Sequence, residues 1–125
     1  MAKIPKPTEG ELAILQALWQ MGPSTVRQVH EHLGRDVAYT TVLKLLQIMT
    51  DKGLVVRDER ARTHVYEAAS SEAQTQKQLV TDLLDRVFDG SAAKLVLQAL
   101  SAGKATPAEL AEIRKLLDKH RGGRK

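Results

Sequence analysis

The chain has no cysteine, which excludes a disulfide scaffold and any thiolate metal site. Aromatic residues make up 3% of its 125 residues, against 42% that are hydrophobic. A core must therefore come from leucine, valine, alanine and isoleucine, a mixture that favours helices. No apolar run approaches the roughly 18–20 residues that span a bilayer. The opening Met1-Ala-Lys-Ile-Pro-Lys-Pro7 also lacks the apolar stretch of a signal peptide. A reducing, cytoplasmic setting is the expectation. Missing too are a glycine-rich phosphate loop, a Gly-x-Ser-x-Gly elbow and paired carboxylates set apart from helix-surface charge. No enzyme and no cofactor are expected.

What charge there is points weakly to nucleic acid. The net charge is +4 and the pI is near 9.5. Residues 1–70 hold nine Lys/Arg against eight Asp/Glu, and residues 71–125 hold ten against seven. Much of the excess lies in the tail Lys119-His-Arg-Gly-Gly-Arg-Lys125. Bulk charge does not locate a binding face, so placement must.

The most informative stretch is Asp36 to Val56. Its spacing predicts a helix over 39–52 that opens on the hydroxyls of Tyr39, Thr40 and Thr41. Val42, Leu46 and Met49 recur at helical spacing and would fasten its other face to a core. Lys52-Gly53 supplies the stop, a cation followed by a residue free to take positive φ. Two short β-branched runs follow, Leu54–Arg57 and Thr63–Glu67, joined by Asp58-Glu-Arg-Ala-Arg62. They predict a hairpin with Arg57, Arg60 and Arg62 at or near its tip. Upstream, Thr8 and Glu11 form a capping-box pattern before Leu12, Leu15, Leu18 and Trp19. A further helix is expected after Ser24 or Thr25, with Val26, Val29 and Leu33 inward and Gly34 closing it. The fold class expected is mainly α with a small β-wing: a winged helix-turn-helix over residues 1–70.

On these residues the chain resembles the penicillinase and methicillin-resistance repressors, the BlaI/MecI family with its copper-responsive CopY relatives. The matching text is Thr8-Glu-Gly-Glu-Leu-Ala-Ile-Leu-Gln-Ala-Leu-Trp19, Thr25-Val-Arg-Gln-Val-His-Glu-His-Leu33, Ala38-Tyr-Thr-Thr-Val42 and Lys52-Gly-Leu54. The resemblance covers nearly the whole chain. It implies a sequence-specific repressor that binds a palindromic operator as a homodimer. It places Tyr39, Thr40, Thr41, Leu43 and Lys44 on a groove-facing surface. Ile48 departs from a position where relatives often carry a basic or polar residue.

Thr25 and Arg27 open the supporting helix, where backbone amides and the helix dipole favour phosphate. Arg27 is also spaced for an i,i+4 pair with Glu31, the preferred role by a small margin. Asp58 and Glu59 in the hairpin tip would repel phosphate, so Arg60 and Arg62 are the favoured wing contacts. A winged helix can instead serve protein–protein contact. Salt dependence separates the two, because neutralising Z phosphates gives a log–log slope of roughly −0.9Z.

Residues 71–120 predict three helices, over 72–88, 91–101 and from Thr106-Pro107-Ala-Glu109 to about His120. Their leucine supply, Leu79, Leu83, Leu95, Leu100, Leu110, Ile113 and Leu117, is too large for so small a unit and argues for a two-fold partner. Residues 121–125 form a basic tail expected to be disordered. The resemblance further implies derepression by a cut in this region, made through a membrane metalloprotease sensor. The aligned bond is Gln98–Ala99, where relatives have Asn-Phe. His30 and His32 suggest a metal, but residues i and i+2 of a helix point about 200° apart, so one ion cannot take both. His64 and His120 have no ligand partners nearby in sequence, and no metal site is expected.

Overall fold

The computed structural model describes residues 6–123, with side chains as far as His120. The element order is α1 (Glu9–Met21), α2 (Val26–Leu33), α3 (Tyr39–Lys52), β1 (Val55–Asp58), β2 (Val65–Ala68), α4 (Glu72–Val87), α5 (Ala92–Ser101) and α6 (Pro107–Gly123). Two compact units divide the chain, one running to Val80 and the other starting at Thr81. The division falls inside α4. Helix α6 continues past the expected end at His120. Residues 1–5, where a signal peptide was sought, lie outside the described residues, as do Arg124 and Lys125 of the tail.

In the first unit α1, α2 and α3 pack on one another, β1 packs on α3 and β2 on α1. The core is Ile14, Leu15, Ala17 and Leu18 from α1, Val26 and Val29 from α2, and Val42, Leu46 and Met49 from α3. Leu54, Val55 and Tyr66 close it from the hairpin. The helical register read for α3 is thus the buried one. On α1 the buried stripe runs through Ile14 and Leu18, while Leu12 and Trp19 are half-buried. The indole Nε1 of Trp19 donates to the carbonyl of Ser70 at 2.9 Å, tying α1 to the chain between β2 and α4.

Both early helices start on reciprocal caps. Thr8 Oγ1 accepts from the Glu11 amide at 3.3 Å, and Glu11 Oε1 accepts from the Thr8 amide at 2.9 Å. Thr25 and Gln28 repeat the arrangement at 3.2 and 2.9 Å. Glu11 does more than cap. It is buried, and Lys52 Nζ donates to its Oε2 at 2.8 Å, which locks the start of α1 to the end of α3. Burial raises the Glu11 carboxyl, but the Lys52 ammonium and the Thr8 amide outweigh it, leaving the group below its ordinary value. Gly53 ends α3 at φ 83, ψ 15, the left-handed conformation in which its N–H reaches back to Met49 and Thr50.

The hairpin is antiparallel, with Val55 opposite Ala68, Arg57 opposite Tyr66 and Asp58 opposite Val65. The first strand sits one residue later than its sequence pattern suggested, because Leu54 is taken into the core. The second starts two residues later and ends one later, because Thr63 and His64 fall in the turn. A bridge absent from the sequence reading adds a third edge. Ser24 and Tyr66 exchange backbone bonds of 2.9 and 2.8 Å, holding the wing against the start of α2.

The second unit is built differently. Asp89 and Gly90, at φ 56 and 76, break the chain after α4, Ser91 caps α5, and Thr106 with Glu109 forms the reciprocal cap of α6 at 3.1 and 3.0 Å. No described residue from Thr81 onward is fully buried. None of the described helices is long and apolar enough to cross a membrane.

Candidate nucleic-acid interface

The outer face of α3 follows from its inner one. With Val42, Leu46 and Met49 committed to the core, helical geometry turns Thr40, Thr41 and Lys44 outward, and all three are exposed. Gln47 is exposed on the same side, one turn beyond Lys44. Sequence reasoning passed over it, although i+3 spacing from Lys44 was a usable signal, and its amide can donate and accept as adenine recognition requires. Ile48 is half-buried, and Leu43 packs partly against the core, which leaves only part of its side chain outward.

Tyr39 is held by its neighbours. Its ring meets His30 edge-on, with centroids 5.7 Å apart at 81°. His30 Nε2 in turn donates to the Val37 carbonyl at 2.9 Å, closing the turn between α2 and α3. The first histidine of His30-Glu-His32 is therefore a brace for the turn and for Tyr39. Among the described residues no three His, Asp or Glu side chains form a cluster able to hold a metal.

Because the Ser24–Tyr66 bridge pins the wing beside α2, a cleft of about 520 Å³ opens between them. Thr25 and Arg27 line it from α2, and Tyr39 and Leu43 from α3. The hairpin contributes Arg62, Thr63 and His64. Thr63 was not singled out from sequence, and His64 was weighed there only as a metal ligand. What brings them here is the long-range bridge, which leaves no local pattern.

The cations divide into two groups. Arg57 Nε donates to Glu59 at 2.6 Å, while Arg60 grips Asp58 through Nε at 3.0 Å and Nη2 at 2.7 Å. The Arg60 guanidinium, helped by its backbone N–H, pulls the Asp58 carboxyl down to about 2. Arg27, Lys44 and Arg62 have no ion-pair partner among the described residues. The pairing expected between Arg27 and Glu31 is not made: both side chains stand exposed, where an i,i+4 pair gains little over water. Of the two favoured wing arginines, Arg62 is uncommitted, whereas the tight turn places Asp58 directly under the Arg60 guanidinium.

The family model for the penicillinase repressor matches residues 7–119. The chain belongs to the penicillinase repressor family. Within it, the transcriptional regulator BlaI of Mycobacterium tuberculosis is 36% identical over 100 residues, 78% of this chain and 72% of the relative. The penicillinase repressor of Bacillus licheniformis is 22% identical over 127 residues, spanning 100% of this chain and 99% of that one. A similar solved structure is the monomeric form of Bacillus licheniformis BlaI in complex with the blaP half-operator. It has a TM-score of 0.50 at 23% identity, covering 58% of this chain and 92% of that one. This likeness supports the fold, a winged helix. In this member of the penicillinase repressor family, the exposed face of α3, the start of α2 and the wing lie within one unit.

Proposed function

We propose that the chain is a transcriptional repressor that binds operator DNA as a homodimer and blocks transcription sterically. The observation that supports this most is the grouping of Arg27, Lys44 and Arg62, uncommitted cations on three elements, around an α3 face of hydroxyl and amide side chains. In this reading α3 enters the major groove, where Thr40, Thr41 and Lys44 meet base edges or phosphate and Leu43 offers apolar contact. Tyr39, Thr25, Arg27 and the wing arginines Arg60 and Arg62 hold the backbone. Arg60 must exchange Asp58 for phosphate to do so.

Residues 71–120 supply the homodimer contact. Leu83, Leu110 and Leu117 lie exposed in the single chain, while Leu79, Leu95, Leu100 and Ile113 are half-buried. Two joined half-site readers suit a palindromic operator. A cut in α5, where both Gln98 and Ala99 are exposed, would separate them and relieve repression. A membrane metalloprotease sensor is the agent that the family resemblance suggests.

Lys44→Ala combined with Thr41→Ala tests the recognition helix. Each good base contact is worth about 1–3 kcal/mol. The double variant should lose operator affinity and selectivity in a titration while keeping its helical circular dichroism. Unchanged affinity and selectivity would refute the assignment.

A further inference from the structure

The cleft beside α2 gathers Thr25, Arg27, Tyr39 and Arg62, all assigned to the DNA backbone, around two polar residues without a role, Thr63 and His64. It is lined by two arginines and two threonine hydroxyls, and none of its lining residues is a carboxylate. Thr25 Oγ1 accepts from the Gln28 amide, so its own proton is available to an anion. Of the acidic side chains close in sequence, Asp58 and Glu59 are held by Arg60 and Arg57, while Glu67, beside Tyr66, and Asp36, three residues before Tyr39, do not line the cleft. The volume of about 520 Å³ falls within the roughly 300–1,000 Å³ of small-ligand sites, enough for a phosphodiester and its sugar. Tyr39 and Leu43 of α3 form one wall, so the anion admitted belongs to the duplex whose groove α3 enters.

We infer that this cleft seats one backbone phosphate of the DNA and that His64 is a binding residue within it, taking up a proton as the phosphate enters. The inference rests on the DNA-binding reading above and extends it to a residue outside that reading. His64 is exposed and makes no hydrogen bond or ion pair among the described residues, so it has no structural duty to the fold. Imidazole is the side chain that changes charge near neutrality. Facing it are Arg27 from α2, Tyr39 from α3, and Arg62 and Tyr66 from the hairpin. Across the hairpin stand Arg57, bonded to Tyr66 and Glu59, and Asp58, bonded to Arg60. A phosphate seated among Arg27, Arg62 and His64 favours the charged imidazole. Binding and protonation are thus linked, and affinity rises as pH falls through the neutral range.

The phosphate contact is independent of sequence, so the full chain can be titrated with a short mixed-sequence duplex at fixed ionic strength. The wild type should bind about five- to tenfold more tightly near pH 6 than near pH 8, the effect of up to one pKa unit. His64→Gln should match the wild type at the higher pH and lose most of the gain at the lower one. His64→Lys, with a permanent charge, should bind tightly and with a flat profile across the range. Calorimetry in two buffers of different protonation enthalpy should show proton uptake in the wild type and none in His64→Gln. A pH response that survives His64→Gln overturns the role of His64 and leaves DNA binding intact. So does inorganic phosphate that shifts the His64 resonances as strongly as the duplex at equal concentration, since the cleft would then be a free-anion site. Absence of binding to any duplex at any pH overturns both readings.

Discussion

The unit that runs to Val80 encloses Ile14, Val29, Val42, Leu46 and Met49 completely, whereas the unit from Thr81 leaves Val87 65%, Leu97 62% and Leu117 63% exposed. Both are helical and rich in aliphatic residues. The difference is layering. In the first, α1, α2 and α3 cross one another and the hairpin covers them, so an apolar side chain meets neighbours on every side. In the second, two complete helices and the end of α4 provide too little surface to surround any side chain. Apolar content makes a core only where elements face it from more than one side.

The largest expected effect separates the two regions. Leu116→Asp with Leu117→Asp should abolish self-association in sedimentation and lower operator affinity by about 10²–10⁴, the avidity that a tethered second site provides. The winged helix should keep its unfolding midpoint at low protein concentration. A double variant that still sediments as a dimer would mean that the exposed face of α6 is not the surface covered.

Leu46→Ala sharpens the comparison from the other side. Its side chain is fully enclosed, so truncation should destabilise the first unit by about 2–5 kcal/mol, read as a lower urea midpoint with an unchanged slope. A single alanine at Leu116, exposed in the chain alone, should leave that midpoint in place under monomeric conditions.

Glu11→Gln should cost less, about 1–3 kcal/mol, because Lys52 is partly solvated and loses only one partner. The sign with pH is fixed by the lowered carboxyl. Its contribution is fully present above the ordinary value of 4.5 and fades as pH falls through the lower folded value. The gap between wild type and Glu11→Gln in thermal melts should therefore narrow on acidification below that point. A gap that widens instead would mean that the Glu11–Lys52 pair contributes no stability.

What was legible in the sequence was local. Tyr39–Lys52 announced itself through the spacing of its buried residues and the Gly53 stop, and the Thr8 and Thr106 caps through residues three apart. The start of α2, by contrast, stood open between Ser24 and Thr25 until Gln28 was seen to complete the Thr25 cap. What escaped was joined across distance. Glu11 and Lys52 lie 41 residues apart, and the Ser24–Tyr66 bridge links two backbones whose side chains carry no pairing signal. That bridge brings Thr63 and His64 to the cleft, so part of the candidate site was hidden with it. The wing carboxylates were visible, but which guanidinium each would hold depended on the turn. In the second unit, Val87, Leu97 and Leu116 stand as exposed as the leucines singled out from spacing. Spacing alone does not separate them, because no described residue of this unit is fully enclosed.

Trp19 is the chain's one tryptophan, and its indole N–H is fixed to the Ser70 carbonyl where β2 leads into α4. That makes the protein its own optical gauge. Indole emission reddens as water replaces a fixed partner, so the colour of the fluorescence reports whether this joint is closed. No dye need be attached, and no second indole blurs the signal. Loosening of the wing's exit would register as a change in colour, whether solvent or a bound duplex caused it.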